Sequence, residues 1–185
     1  SNNVARRALK AADAGEGAAD MVRRGGGALV PYGGYGTALK ATPADADDIR
    51  AFGRTADKFQ AARGQRSFHP LYWEGVVAEQ VAAGHVDDWF IHRSGASVTG
   101  AMEVSSRSGY LEVMKLESLG GGGGSRLMQV AAQESVARGF GGRIQLYAAE
   151  QAVDFYWKLG PSRFDPLTNL FVWDEYSAMN LLYQR

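Results

Sequence analysis

Leu116-Glu117-Ser118-Leu119-Gly120-Gly121-Gly122-Gly123-Gly124-Ser125-Arg126-Leu127-Met128 is the stretch on which the fold turns. A strand-like run heavy in Leu, Val and Met, Tyr110 to Ser118, leads into five successive glycines. A helical pattern follows from Ser125 to Arg138, with Leu127, Val130, Ala131 and Ala137 on one face. Strand, glycines and helix in that order point several free backbone N–H groups and the positive end of a helix dipole into one small space. Glycine serves twice there, because it tolerates positive φ and because a diphosphate can approach a main chain that carries no Cβ. Gly-Gly-Gly-Gly-Ser is also a common flexible-linker string, but a tether has no need of an apolar strand and an amphipathic helix tight against its ends.

The kind of anion site can be narrowed. A Walker loop needs Lys and then Ser or Thr after its last glycine, and Ser125-Arg126 stands here instead, which argues against an NTPase. The dinucleotide fingerprint opens a first βαβ unit and is followed by an acid about 20 residues on. This loop comes late in the chain, so a Rossmann domain is disfavoured.

Outward from the loop, the 185 residues suit one domain or one domain plus an arm. Twenty Lys and Arg balance twenty Asp and Glu, so no global positive field draws the chain to nucleic acid or anionic lipid. A hydrophobic fraction of 45% supports a packed core. The absence of cysteine removes disulfides, thiol nucleophiles and Cys-based zinc sites. No apolar run approaches the roughly 18 residues that span a bilayer, so no membrane segment is expected. Ser1-Asn2-Asn3 reads as an expression scar ahead of a piece of a longer polypeptide.

Residues 4 to 24 read as an Ala-rich helix, and Gly25-Gly26-Gly27 and Gly33-Gly34-Tyr35-Gly36 as joints, so 1–34 form an arm and 35–185 the domain. The domain runs strand (Thr37 to Lys40), helix to about Ala62, helix (Leu71 to Ala83), a hairpin over Val86 to Ser106, the Tyr110 strand, the glycine loop and its helix. It continues with a strand over Arg143 to Ala148, a helix over Glu150 to Leu159 and a strand over Leu170 to Trp173. Thr42-Pro43-Ala44-Asp45 supplies an N-cap, a proline at the first helical position and an acid in the first turn. The order reads as α/β or α+β, with helices packed on a mixed sheet.

Taken together, these segments resemble the GCN5-related N-acetyltransferase family. Gly122-Gly123-Gly124 with Ser125-Arg126-Leu127-Met128 is similar to the second half of the family's Q/R-x-x-G-x-G/A pyrophosphate loop. Leu39 to Ile49 resembles its opening strand and first helix, Trp89-Phe90-Ile91 to Ala101-Met102-Glu103 its second and third strands, and Ile144-Gln145-Leu146 its fifth strand. Ala152 to Gly160 resembles its A-x-x-F-Y-x-x-x-G helix. The likeness covers residues 36 to 173. It departs at Leu119, where Gln or Arg is usual, at Ala149, where Asn is frequent, and at Pro161, where Phe is usual. The resemblance implies a mixed, mostly antiparallel central sheet of about six to seven strands flanked by about four helices.

It also implies a reaction: acetyl transfer from acetyl-CoA to a primary amine by direct attack in a ternary complex, with no metal. Leu116, Glu117 and Ser118 would offer the strand edge to the pantetheine amides. Gly120, Gly121, Gly122, Gly123, Gly124, Ser125 and Arg126 would hold the diphosphate, with Arg126 either contacting it or simply solvated. Tyr156, at the family's tyrosine position, would return a proton to the thiolate, unless its role is packing. Glu112, on the fourth strand among apolar neighbours Met114 and Leu116, would be the base, with Glu117, Glu103 or a water chain as alternatives.

His69, His85 and His92 lack metal spacing and read as surface or capping residues. Asp87, Asp88, Asp174 and Glu175 are candidates to attract a cationic amine, and Tyr72 and Trp73 to wall the acceptor cleft. The acceptor stays open between a small molecule, a peptide and aminoacyl-tRNA, and a homodimer is an open expectation. The arm ahead of a compact domain resembles C-terminal toxin modules of secreted bacterial polymorphic proteins. The location expected is therefore cytoplasmic, or a target cell's cytoplasm after delivery. A catalytically inactive ligand-binding or interaction module of the same fold is the alternative.

Overall fold

A computed structural model describes residues 37–62, 64 and 72–183. The expected arm, the domain start near Tyr35 and the segment His69-Pro70-Leu71 lie outside the described residues.

Strand β1 (Thr37–Lys40) leads to the expected capped helix. The Thr42 N–H and hydroxyl both donate to Asp45 Oδ2, at 2.7 and 3.0 Å, and a 3-10 turn over Pro43–Asp45 runs into α1 (Ala46–Ala62). Arg93 Nη2 then ties Asp45 (2.6 Å) and Asp48 (2.8 Å) to strand β2 (Trp89–Ser94). Burial alone would raise the Asp45 carboxyl, but the Thr42 amide and the Arg93 guanidinium outweigh it and hold it below the usual carboxylate range.

A π-helical turn, Tyr72–Val77, continues as α2 (Ala78–Ala82). Its tight approach to α1 needs the glycine at Gly53, where a Cβ would stand 2.8 Å from the Glu74 nitrogen. Ile49, Phe52 and Ala56 of α1, with Trp73, Val77 and Val81, bury against Trp89, Ile91, Val98 and Ala101. Each fully buried side chain of that size contributes roughly 1.5 to 3 kcal/mol.

The remaining elements are β3 (Ser97–Ser106), β4 (Leu111–Ser118), α3 (Gly123–Ala137), β5 (Ile144–Tyr147), α4 (Val153–Trp157), β6 (Arg163–Asp165), β7 (Leu170–Trp173) and α5 (Ala178–Leu182). They form one seven-stranded mixed sheet, in the order β1-β2-β3-β4-β5-β7-β6. The β1/β2, β2/β3, β5/β7 and β6/β7 pairs are antiparallel, and β4/β5 is parallel.

Chain contacts group the described residues into two compact units. One comprises 37–103 and 115–127, with the core just described. The other comprises 104–114 and 128–183 and buries Leu111, Val113, Met128, Val130, Ile144, Leu146, Phe171, Trp173 and Leu181.

Two elements were not read from the sequence. β6 has three residues, too few to display alternation. α5 is a five-residue helix entered through Asp174, whose carboxylate accepts the Ser177 N–H at 2.8 Å. No helix among the described residues is long and apolar enough to cross a membrane.

Asp45→Asn should cost about 1 kcal/mol at pH 7, the usual scale of a lost cap. The folded carboxyl titrates below its unfolded value. Its contribution is therefore present above the unfolded pKa and lost as pH falls through the folded one. Urea denaturation at pH 7 and near pH 3 should show wild type and variant converging on the acid side; a constant gap would exclude the assigned role.

Candidate functional site

The glycine run is divided by conformation. Gly120, Gly121 and Gly122 are exposed and left-handed (φ 100, 67 and 80), whereas Gly123 and Gly124 are buried and open α3. The helix thus begins two residues before the expected Ser125.

Part of the cradle's donor set is used internally. The Gly120 N–H donates to Ser118 Oγ (3.2 Å), the Gly123 N–H reaches Gly120 O at 3.5 Å, and the Arg126 N–H donates to Gly122 O (3.1 Å). The amides of Gly121, Gly122, Gly124 and Ser125 have no acceptor among the described residues. Four amides without an acceptor on one turn and helix start are the kind of main-chain donors that bind anions. Arg126 is 8% exposed, so the solvated alternative does not hold.

The floor beneath the cradle is polar and tight. A Cβ at Gly123 would stand 2.9 Å from both His92 Nδ1 and Ser118 Oγ. His92 is itself buried, with Nδ1 2.8 Å from the Thr99 hydroxyl, which corrects its reading as a surface or capping residue. His85 is exposed. Leu119, in the position where the family pattern has Gln or Arg, packs against the apolar core and donates its N–H to Thr99 O (2.8 Å). Gly100 completes the floor, since a Cβ there would lie 3.1 Å from Leu127 Cδ1.

On the other side of β4, Lys115 and Glu117 share a strand face by alternation. Burial raises the Glu117 carboxyl above its ordinary range; the Trp73 indole and Lys115 oppose the shift and Asp57 adds to it. Glu117 Oε2 and Trp73 Nε1 are both buried without a hydrogen bond of normal geometry. Tyr72 donates its hydroxyl to Glu103, and the Lys115 ammonium lies 3.7 Å from the centre of the Tyr72 ring. Tyr72, Trp73 and Trp89 stand edge to face or tilted around this group. The fold thus gathers Glu103, Lys115 and Glu117 with the expected aromatic wall, all within the first unit. No motif revealed this grouping, because its members sit on three separate segments.

In the second unit, Glu112 differs from its expectation. It shares a face with Met114 as alternation requires, but Arg107 Nη2 pairs with its carboxylate at 3.1 Å, so its neighbourhood is not apolar. Tyr156 is buried among Phe155, Phe171 and Trp173, and burial alone pushes its hydroxyl well above the ordinary tyrosine range. That hydroxyl has no hydrogen-bond partner among the described residues.

Pairing of β4 to β5 covers only Leu111/Ile144 and Glu112/Gln145, so from Val113 onward β4 has no partner on β5. Three of the four acids that are candidates to attract an amine have other uses: Asp87 pairs with Lys40 (3.4 Å), Glu175 with Arg143 (2.6 Å), and Asp174 caps α5. Among the described residues no group of three or more His, Asp or Glu is placed to hold a metal ion.

No protein-family model matches the sequence, and no curated protein matches it significantly. Solved structures do match. A GNAT-family acetyltransferase from Listeria monocytogenes superposes with a TM-score of 0.54 at 11% identity, over 73% of this chain and 91% of its own. The PaiA N-acetyltransferase from Thermoplasma acidophilum, in complex with coenzyme A, gives 0.50 at 15% identity over 73% and 94%. A GNAT-family acetyltransferase from Brucella melitensis, in complex with acetyl-CoA, gives 0.50 at 17% identity over 74% and 86%.

The crowding at Gly123 is testable. Gly123→Ala should destabilise by about 1 to 3 kcal/mol through overpacking on the His92 and Ser118 side chains. Gly121→Ala meets no atom within 4 Å and should cost only the left-handed backbone penalty, about 1 to 2 kcal/mol. Ser118→Ala should therefore partly rescue Gly123→Ala and leave the cost of Gly121→Ala unchanged in urea denaturation. Equal behaviour of the two pairs would show that the floor does not set the requirement.

Proposed function

From the fold of the GCN5-related N-acetyltransferases, which this chain has, we propose that the protein moves an acetyl group from acetyl-CoA to a primary amine. The observation that carries the reading is the set of unpartnered amides at Gly121, Gly122, Gly124 and Ser125, within a few residues of a desolvated carboxyl at Glu117. Acetyl-CoA supplies an acyl group already activated as a thioester.

Each residue then has a physical task. The four amides hold the diphosphate by main-chain hydrogen bonds and the dipole of α3. The part of β4 with no partner on β5, including Leu116, Glu117 and Ser118, offers its edge to the pantetheine amides. Glu117 accepts the proton that the amine loses. Its raised pKa brings it nearer to neutrality, where a carboxylate is a better base. We favour Glu117 over Glu112 because the latter is already paired with Arg107. Tyr156 is the proposed acid, since burial keeps its hydroxyl protonated across the working pH range.

Titration calorimetry with acetyl-CoA should show micromolar binding; none down to millimolar would leave a non-catalytic binding or interaction module. Glu117→Gln should lower kcat by about 100-fold or more. In the wild type, kcat should rise with pH through a limb lying above the ordinary carboxylate range, and the variant should lose that limb. If Glu112→Gln, not Glu117→Gln, removes it, the assignment is reversed.

Tyr156→Phe should lower kcat and leave acetyl-CoA affinity nearly unchanged; unaltered kcat would return Tyr156 to packing alone. Labelled acetyl-CoA offered with small amines, peptides and aminoacyl-tRNA identifies the acceptor, and transfer to aminoacyl-tRNA would favour the effector-module role.

A further inference from the structure

We infer that Lys115 is a self-acetylation site, at which the protein transfers an acetyl group from acetyl-CoA to its own Lys115 Nζ. The inference rests on the acetyl-transfer reading above and adds a product which that reading does not require.

Lys115 lies on β4 about 10 Å along the strand from Ser118, at roughly 3.3 Å per residue. The sequence of features along the chain is therefore diphosphate cradle, open strand edge, lysine. A carrier laid along β4 with its diphosphate on the cradle directs its thioester toward that lysine.

The lysine's surroundings suit a nucleophile better than a structural cation. Its ammonium touches the Tyr72 ring face, at 3.7 Å, and makes no hydrogen bond or salt bridge with any described residue. Glu103 and Glu117 act on it only through space, so it balances their charge without being locked to either. The Tyr72 hydroxyl meanwhile occupies Glu103, which leaves Glu117 as the carboxylate with an unpartnered oxygen. Burial outweighs both acids and lowers the Lys115 pKa, which increases the neutral fraction able to attack. Lys40 differs, being paired with Asp87, and Lys58 and Lys158 are exposed.

The step balances without a further reactant. The neutral Lys115 Nζ lone pair attacks the thioester carbonyl carbon, forming a C–N bond as the C–S bond breaks. The surplus proton on nitrogen passes to Glu117 and from there to solvent, while the C–S electron pair leaves on sulfur and a solvent proton converts the thiolate to coenzyme A. The products are Nε-acetyl-lysine and the free thiol. Acetylation removes the cation from the Tyr72 face and from between the two glutamates.

The whole chain, incubated with isotopically labelled acetyl-CoA in the absence of any acceptor, tests this by intact mass and peptide mapping. The expected result is one labelled acetyl group per chain, at Lys115, appearing at a rate independent of protein concentration. Lys115→Arg should abolish the labelling, and Glu117→Gln should slow it by at least 10-fold.

Label confined to exposed Lys58 and Lys158, or spread evenly over the lysines, would be chemical acetylation and would overturn the inference. So would a rate that rises in proportion to protein concentration, since it would mark transfer between chains. If acetyl-CoA binds by calorimetry while Lys115 stays unlabelled, only this inference falls. If acetyl-CoA does not bind, the acetyl-transfer reading falls as well.

Discussion

The approach of the main chain at Gly123 to the His92 imidazole and the Ser118 hydroxyl is the constraint on which the site depends. α3 can begin where it does only because nothing projects from that residue into the floor. The floor cannot yield readily, since His92 is buried and held against Thr99. Three left-handed glycines then bring the chain from β4 to the helix start, and the amides of Gly121 and Gly122 are left without an internal acceptor. A small set of sterically required residues thus fixes the position of several donors without any charged side chain.

The opposite face of β4 works by a different rule. Packing of α1 and the π-helical turn against the sheet withdraws water from Glu117 and Lys115, while Tyr72 and Trp73 supply ring faces and weak donors in its place. Two groups of opposite charge are both driven toward neutrality by one cause, partial desolvation, instead of being locked as an ion pair. Such an arrangement costs stability and favours proton exchange, and the proposed chemistry needs that exchange.

The passage from β4 through the glycines into α3 was legible because its information is local: a strand pattern, glycines and a helix pattern follow one another within a few turns of chain. The capped entry to α1 was legible for the same reason, as Thr42, Pro43 and Asp45 act on their own neighbours. The surroundings of the carboxylates were not. Alternation placed Glu112 beside Met114 correctly, but only the turn that brings Arg107 back onto it revealed the compensating charge. Glu117 was carried as an alternative base, yet its desolvation comes from Trp73 and α1, far away in sequence. His92 was misread because isolation from other metal-ligating residues says nothing about depth.

A donor set made wholly of backbone reads the shape and charge of a diphosphate and nothing of the acyl end beyond it. If the proposed chemistry holds, the spent carrier grips the same amides as the loaded one. Product inhibition by the free thiol is then built into the loop, because the donors that hold the loaded carrier cannot tell it from the used one.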